Sequence, residues 1–285
     1  MGISLYLILR HGYMSRRVLI LSVSRKVSLV RAFKEAGWYV IGQDIDPNAV
    51  ALKFCDEVAK SDTEIGVDMI LPTRDNDLTL GTHGASQETI DICCDKVKFA
   101  SWCEDNGFKA PKTLYTQETK ERGVVGRAFV KPRFSSSSNK AEGFVECVYQ
   151  EKVEGEEYSI DCFSNFEKKV ISIVPRKRLK VTNGESSCTQ TIHSPLLVET
   201  ASSLSQALGL DGHSVLQCFL SQGTPIWTDV NCRFGGASIV GIQAGCKSPE
   251  WYLKLINGEE VKPCIGDYKV GLTGRSYSDW TFDED

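Results

Sequence analysis

Gln217, Asp229 and Asn231 carry oxygen donors of the kind a hard cation takes, and their spacing can bring them together. Residues 215–236 read VLQCFLSQGTPIWTDVNCRFGG, two apolar segments on either side of a turn containing Gly223 and Pro225, so a hairpin is expected. A turn centred near Gly223 places Gln217 opposite Asp229, and strand alternation puts Asn231 on the same face as Asp229. Three such oxygens suit Mg²⁺, with positions left for phosphate oxygens and water. The same alternation also describes the solvated face of an ordinary hairpin.

Lys131 follows a short apolar strand and precedes Pro132, Arg133 and a serine run that includes Ser135, Ser136 and Ser137. A cation beside a small-residue loop can hold a phosphate, since hydroxyls and backbone N–H groups donate to its oxygens. A flexible serine linker is the alternative reading. In VPRKRLKV, Arg176, Arg178 and Lys180 share one strand face, which suits either a polyanion or a solvated edge. Glu151, Lys152 and Val153 open a linking segment, EKVEGEEY, whose backbone can meet an adenine edge and whose acidic side chains can accept from ribose hydroxyls.

The elements that must position these groups fall into two textures. Val18 to Val23 is an apolar strand, Lys26 to Ala36 has helical spacing at Val27, Val30 and Phe33, and Gly37 stops it. Strands follow at Trp38 to Gly42 and Val67 to Pro72, giving a parallel sheet covered on both faces. One long helix is expected from the cap Ser86 to Asn106 and Gly107. Beyond Pro111 come strands near 128–131, 145–150, 158–163, 170–174, 179–182, 215–220 and 226–230, with one helix from Pro195 to Leu208.

A chain of 285 residues with 41% hydrophobic and 25% charged residues is an ordinary globular composition, long enough for one large or two modest domains. The longest early apolar run, Ile3 to Leu9, falls short of the roughly 20 residues a membrane span needs. A net charge of −4 without a basic block does not favour nucleic acid. Eleven cysteines without a C-x-x-C pair fit neither zinc nor a disulfide framework, and read as buried thiols of a reducing compartment. A cytoplasmic protein acting on small molecules is expected, with a homodimer the default assembly.

Read in order, the motifs RKVSLVRAFKEAG, ILPTRDNDL, CDKVKFASWCEDNGFKAPKT, FVKPRFSSSS, QEKVEGEEYSID, IVPRKR, VLQ, DVNCRFGG and the AG before Cys246 resemble the ATP-grasp enzymes. The branch they are most similar to is one half of the carbamoyl-phosphate synthase large chain. This resemblance implies a mixed α/β and α+β fold. A leader of uncertain structure (1–15) and a shortened parallel-sheet pre-ATP-grasp domain (16–95) would precede an ATP-grasp domain (96–285) with lobes near 96–150 and 151–275.

It also implies roles. Lys96, Lys131 and Ser135 to Ser137 would meet ATP phosphates, Glu151 to Val153 the adenine, and Glu157 the ribose. Gln217, Asp229 and Asn231 would hold Mg²⁺ or Mn²⁺. Arg233, Arg176 and Arg178 would stand at the γ-phosphate and an acyl phosphate. The implied activity joins a small-molecule carboxylate to an amine, with ADP released. The alternatives are a carbamoyl-phosphate-type or kinase-like ATP-grasp enzyme, or a catalytically silent nucleotide-binding regulator. Three features depart from the family pattern: serines replace the glycine-rich phosphate loop, the first strand ends in LSVSRK, and the stretch from Leu78 to Ser86 is short. His193 is a candidate base only by chain position, and an ordinary polar histidine is the favoured reading.

Overall fold

A computed structural model describes residues 15–60, 66–115, 128–134, 146–182, 184–276 and 278–282. The expected serine phosphate loop, Ser135, Ser136 and Ser137, and almost all of the expected leader 1–15 lie outside the described residues.

The N-terminal part is a parallel sheet of order β3-β2-β1-β4, with β1 (Arg17–Leu21), β2 (Tyr39–Gln43), β3 (Glu57–Val58) and β4 (Met69–Pro72). Helix α1 (Val27–Glu35) turns Leu29, Val30 and Phe33 inward and ends at Gly37, whose φ of +98° is a left-handed stop. One face of the sheet, with Val18, Ile20, Val40 and Met69, enters the main core, and the other forms a small cluster around Leu19, Leu21, Ile41 and Ile70.

Where one long helix was expected, two occur: α2 (Gln87–Cys94) and α3 (Lys96–Asp105), divided at Asp95. The cause is a capping side chain. Asp95 takes extended dihedrals and accepts hydrogen bonds from the N–H groups of Val97 and Lys98, which suits an N-cap and not a helix interior. The break makes Lys96 the first residue of α3.

A small antiparallel sheet of order β5-β7-β6 follows, built from β5 (Thr113–Tyr115), β6 (Ala128–Pro132) and β7 (Cys147–Glu151). The large antiparallel sheet has order β12-β11-β8-β9-β10-β13. Its strands are β8 (Glu156–Ser164), β9 (Val170–Thr182), β10 (Glu185–Thr191), β11 (Gly212–Ser221), β12 (Thr224–Asn231) and β13 (Gly271–Gly274). The two strands expected at 170–174 and 179–182 are one, β9, running straight through Pro175. Proline's fixed φ fits extended backbone and removes a single donor, while the basic run beyond it still pairs with β10.

The large sheet has an apolar and a polar face. Ile160, Cys162, Leu216, Cys218 and Trp227 pack against Leu197, Ala201 and Leu204 of α4 (Pro195–Leu208) and against Ile90 and Phe99 of α2 and α3. The opposite face meets the N-terminal sheet together with α5 (Ser238–Ala244) and α6 (Ser248–Ile256) at one end, where Phe33 contacts Phe234 edge-on. Along the rest of that face lie the polar residues that the sequence singles out.

The hairpin β11–β12 pairs Gln217 with Asp229, as expected, but for a subtler reason. The turn is the two-residue Gln222–Gly223, with φ of +47° and +77°, so its centre lies half a residue before Gly223. A bulge beyond Gln217, where Cys218 pairs with Trp227, inserts the residue that restores the register.

The eleven cysteines are free thiols and six of them are buried. Among the described residues, no helix is long and apolar enough to cross a membrane.

Candidate active site

Strand register aligns one row across the large sheet: Asp229 on β12, Gln217 on β11, Ser159 on β8, Arg176 on β9 and Thr191 on β10. Asn231 and Asp161 flank this row on one side and Glu157 on the other, since alternate residues share a face.

Each of the three expected metal donors faces a cation from a different element. Asp229 accepts from Lys131 Nζ at 3.0 Å, and Lys96 Nζ lies 3.6 Å from its other oxygen. Gln217 Oε1 accepts from Arg178 Nη1 at 3.4 Å, and Asn231 Oδ1 from Arg233 Nη2 at 3.1 Å. Lys96 is 8% exposed, and its pKa lies below the ordinary lysine value because burial outweighs the attraction of Asp229.

The arginines are anchored in turn. Arg233 makes a two-pronged contact with Asp75, 2.6 Å to Oδ1 and 2.9 Å to Oδ2, which ties this end of β12 to the N-terminal sheet. Arg178 donates to Glu157 at 2.7 Å, to Ser186 Oγ and to the Gly184 carbonyl, and burial lowers its pKa. Arg133, beside Lys131, grips Asp95 through Nε and Nη2. Burial alone would raise the Asp95 carboxyl, but Arg133 and the capping N–H groups hold it below the usual range.

The basic row of β9 does not present one face to solvent. Arg176 is 1% exposed and paired with the fully buried Asp161, whereas Arg178 is half-buried and only Lys180 is exposed. Asp161 would be raised by burial, yet Arg176 and His213 keep it below the carboxylate range. Burial lowers the pKa of His213, which bonds Ser248 at 2.8 Å and Ser238 at 3.0 Å. Gly241 lies so close to this pair that a Cβ there would sit 2.1 Å from Asp161 Oδ2.

Lys96, Lys131, Glu157, Arg178, Gln217, Asp229, Asn231 and Arg233 thus form one connected set, with Arg176 beneath it. Glu151, the last residue of β7, stands apart together with Lys152 and Val153 on the connection to β8, which continues to Gly155. There the backbone runs against β11, so that a Cβ on Gly155 would lie 2.3 Å from the Leu220 carbonyl oxygen. The residues that sequence reasoning missed are the acids pairing with these cations: Asp75, Asp95 and Asp161. Asp161 was within reach, since it alternates with Glu157 and Ser159 along β8.

The donor set fits a hard divalent cation: one carboxylate and two amide oxygens on adjoining strands, surrounded by cations able to take phosphate oxygens. Among the described residues no group of three His, Cys, Asp or Glu side chains could hold a metal, so amide oxygens must complete any site here.

Residues 143–272 match a family model described as ATP-grasp in the biosynthetic pathway with Ter operon. No curated protein matches the sequence. Among solved structures the chain is similar to N5-carboxyaminoimidazole synthetase of Staphylococcus aureus complexed with ADP, with a TM-score of 0.68 at 11% identity over 90% of this chain and 80% of that one. It is also similar to the biotin carboxylase domain of Hydrogenobacter thermophilus 2-oxoglutarate carboxylase, in complex with MgADP and bicarbonate. That match has a TM-score of 0.68 at 14% identity, covering 92% of this chain and 74% of that one. Phosphoribosylglycinamide synthetase from Anaerococcus prevotii gives a TM-score of 0.64 at 16% identity, covering 86% and 76%. The chain has the ATP-grasp fold.

Proposed function

We propose that this chain, an ATP-grasp protein by its fold and by the match over residues 143–272, activates a small-molecule carboxylate with ATP and passes the acyl group to an amine. The observation that carries the proposal is the meeting of Asp229, Gln217 and Asn231 with Lys131, Lys96, Arg178 and Arg233 on one sheet face.

A carboxylate oxygen attacks the γ-phosphorus, the bond from that phosphorus to the β-bridging oxygen breaks, and ADP leaves with its electron pair. The amine then attacks the acyl carbon, phosphate departs, and the proton of the amine passes to solvent or a base. Lys96 and Lys131 take phosphate oxygens, and Ser135, Ser136 and Ser137 would complete that cradle. Glu151, Lys152 and Val153 offer backbone to adenine, and Glu157 accepts from ribose hydroxyls while Arg178 holds it in place. Asp229, Gln217 and Asn231 would hold Mg²⁺ or Mn²⁺, which neutralises the charge on the phosphates.

Arg233 faces the transferring group, oriented by Asp75. Arg176, locked to Asp161, acts as a positioning residue beneath Arg178. No protein nucleophile is needed, so catalysis comes from placement and charge. The test is release of ADP and phosphate by the purified chain with ATP, Mg²⁺ and pools of carboxylic acids and amines. Release that requires both pools supports this reading, and release indifferent to both contradicts it.

A further inference from the structure

His213 is buried on β11, and the chemistry proposed above leaves it without a task. The register pairs it with Phe163 of β8, so Asp161 lies diagonally across, two residues along. His213 Nε2 stands 3.4 Å from Asp161 Oδ1 and 3.0 Å from the Oγ of Ser238, the first residue of α5. Nδ1 stands 2.8 Å from the Oγ of Ser248, the first residue of α6, and that hydroxyl lies 3.3 Å from Cys246 Sγ. The backbone N–H of His213 donates to the Tyr252 hydroxyl at 2.8 Å, so ring and main chain are both held. Aspartate, histidine and serine stand here in the order of a hydrolase relay, but all three are buried and none reaches a substrate.

What the ring does touch is the loop that carries Arg233. Phe234 lies flat against it, with ring centroids 4.0 Å apart and planes 5° from parallel. Ser238 Oγ, within reach of Nε2, also accepts from the Gly235 N–H at 2.9 Å. The two residues after Arg233 are therefore held by one imidazole, the first through its face and the second through a hydroxyl bridge. The Phe234 carbonyl accepts from Arg233 Nη1 at 3.2 Å, so the place of this backbone helps set the place of the guanidinium. Asp75 and Asn231 hold its other N–H groups.

The partners also assign the tautomer. A neutral imidazole has one donor and one acceptor nitrogen. Asp161 is ionised against Arg176 and can only accept, so the proton sits on Nε2. Nδ1 then accepts from the Ser248 hydroxyl, and the Cys246 thiol donates to Ser248. A charged ring would be a second buried cation beside Arg176, and burial opposes it.

We infer that His213 is a positioning residue: a neutral imidazole with its proton on Nε2, coupling the buried Asp161–Arg176 pair to the Arg233–Gly236 loop and so fixing where Arg233 stands. Its consequence for catalysis rests on the ligase reading; the placement of Arg233 does not.

The test uses nitrogen-15 NMR of the full chain, with the His213 and Arg233 side-chain signals assigned by their loss in His213→Gln and Arg233→Lys. At neutral pH the parent should show a protonated Nε2 and a bare Nδ1 on His213, and a resolved Arg233 Nε–H bonded to Asp75. Glutamine keeps an N–H donor for Asp161 and Ser238, so His213→Gln should leave the Arg233 signal in place, whereas His213→Leu should shift or broaden it. Ser238→Ala removes only the bridge to Gly235, should also shift that signal, and decides the matter if His213→Leu fails to fold. In the ADP-release assay kcat should fall by about 10-fold or more in His213→Leu and Ser238→Ala but by less than about 3-fold in His213→Gln, with KM for ATP unchanged. A residue with only a structural role would lower stability in all three without this split. A proton on Nδ1, an imidazolium, or an Arg233 signal unmoved in Ser238→Ala overturns the inference. If the parent releases no ADP, the ligase reading falls, and the His213 and Arg233 signals still decide the inference.

Discussion

Lys131 Nζ lies 3.0 Å from Asp229 Oδ2, a contact between residues 98 positions apart that joins the small β5-β7-β6 sheet to the edge strand of the large one. Both side chains are about one-fifth exposed and Lys96 adds a second cation to the same carboxylate, so Asp229 is the charge that organises this corner. Two lysines on one acid leave local positive charge in excess, as a triphosphate would require.

Replacing Asp229 by Asn keeps the shape and removes the charge. Mg²⁺-dependent ADP release should fall by ~100-fold or more, the scale of losing one preorganised electrostatic contact. Far-ultraviolet circular dichroism should be unchanged, because β12 is held by its ladder and not by this side chain.

Asp161 and Arg176 form a pair with almost no solvent contact. Asp161→Ala strands a buried guanidinium, which costs about 3–5 kcal/mol. The urea midpoint should drop accordingly, and the double variant Asp161→Ala with Arg176→Met should recover a large part of the loss. A variant as stable as the parent would show that the charge is not buried in solution.

The legibility of this protein in its sequence followed the physics of each signal. The β11–β12 hairpin could be read because apolar alternation and a Gly-containing turn are local patterns, and the grouping of Gln217, Asp229 and Asn231 came with it. The register was right even though the turn centre was half a residue off, because the bulge beyond Gln217 supplied the missing step. The break at Asp95 was hidden, since an aspartate within an amphipathic pattern becomes a cap only when Arg133, 38 positions away, fixes it. Pro175 misled in the other direction, suggesting a gap in β9 where sheet neighbours carry the strand through. The acid that holds Arg233 was invisible because such pairs are set by tertiary contact, Asp75 and Arg233 being 158 residues apart, whereas Asp161, the partner of Arg176, could have been read from its alternation with Glu157 and Ser159.

Gly155 has φ +150° and no room for a Cβ against the Leu220 carbonyl. Gly155→Ala should therefore destabilise by roughly 1–3 kcal/mol, the scale of one strained backbone site, seen as a lower melting temperature. If the connection from Glu151 to Val153 meets adenine, KM for ATP should rise in the same variant more than kcat falls.

Lys26 also predicts how stability varies with pH. Its folded pKa of about 8 lies below the ordinary 10.5, so between those values the unfolded chain binds more protons and stability should rise with pH from this group. The facing groups are Arg74, Arg233, Asp44 and Glu185. Lys26→Met should remove that rise, measured as the difference between wild-type and variant urea midpoints from pH 7 to pH 10. An identical pH profile for the two proteins would contradict the placement of Lys26.

The central claim is that an acyl phosphate forms on this sheet face, and neutral hydroxylamine traps such a species directly. The purified chain, given ATP, Mg²⁺, hydroxylamine and a pool of small carboxylic acids, should produce a hydroxamate and ADP in equal amounts, both abolished in Asp229→Asn. ADP formed without hydroxamate, or hydroxamate formed equally well by the variant, would contradict it.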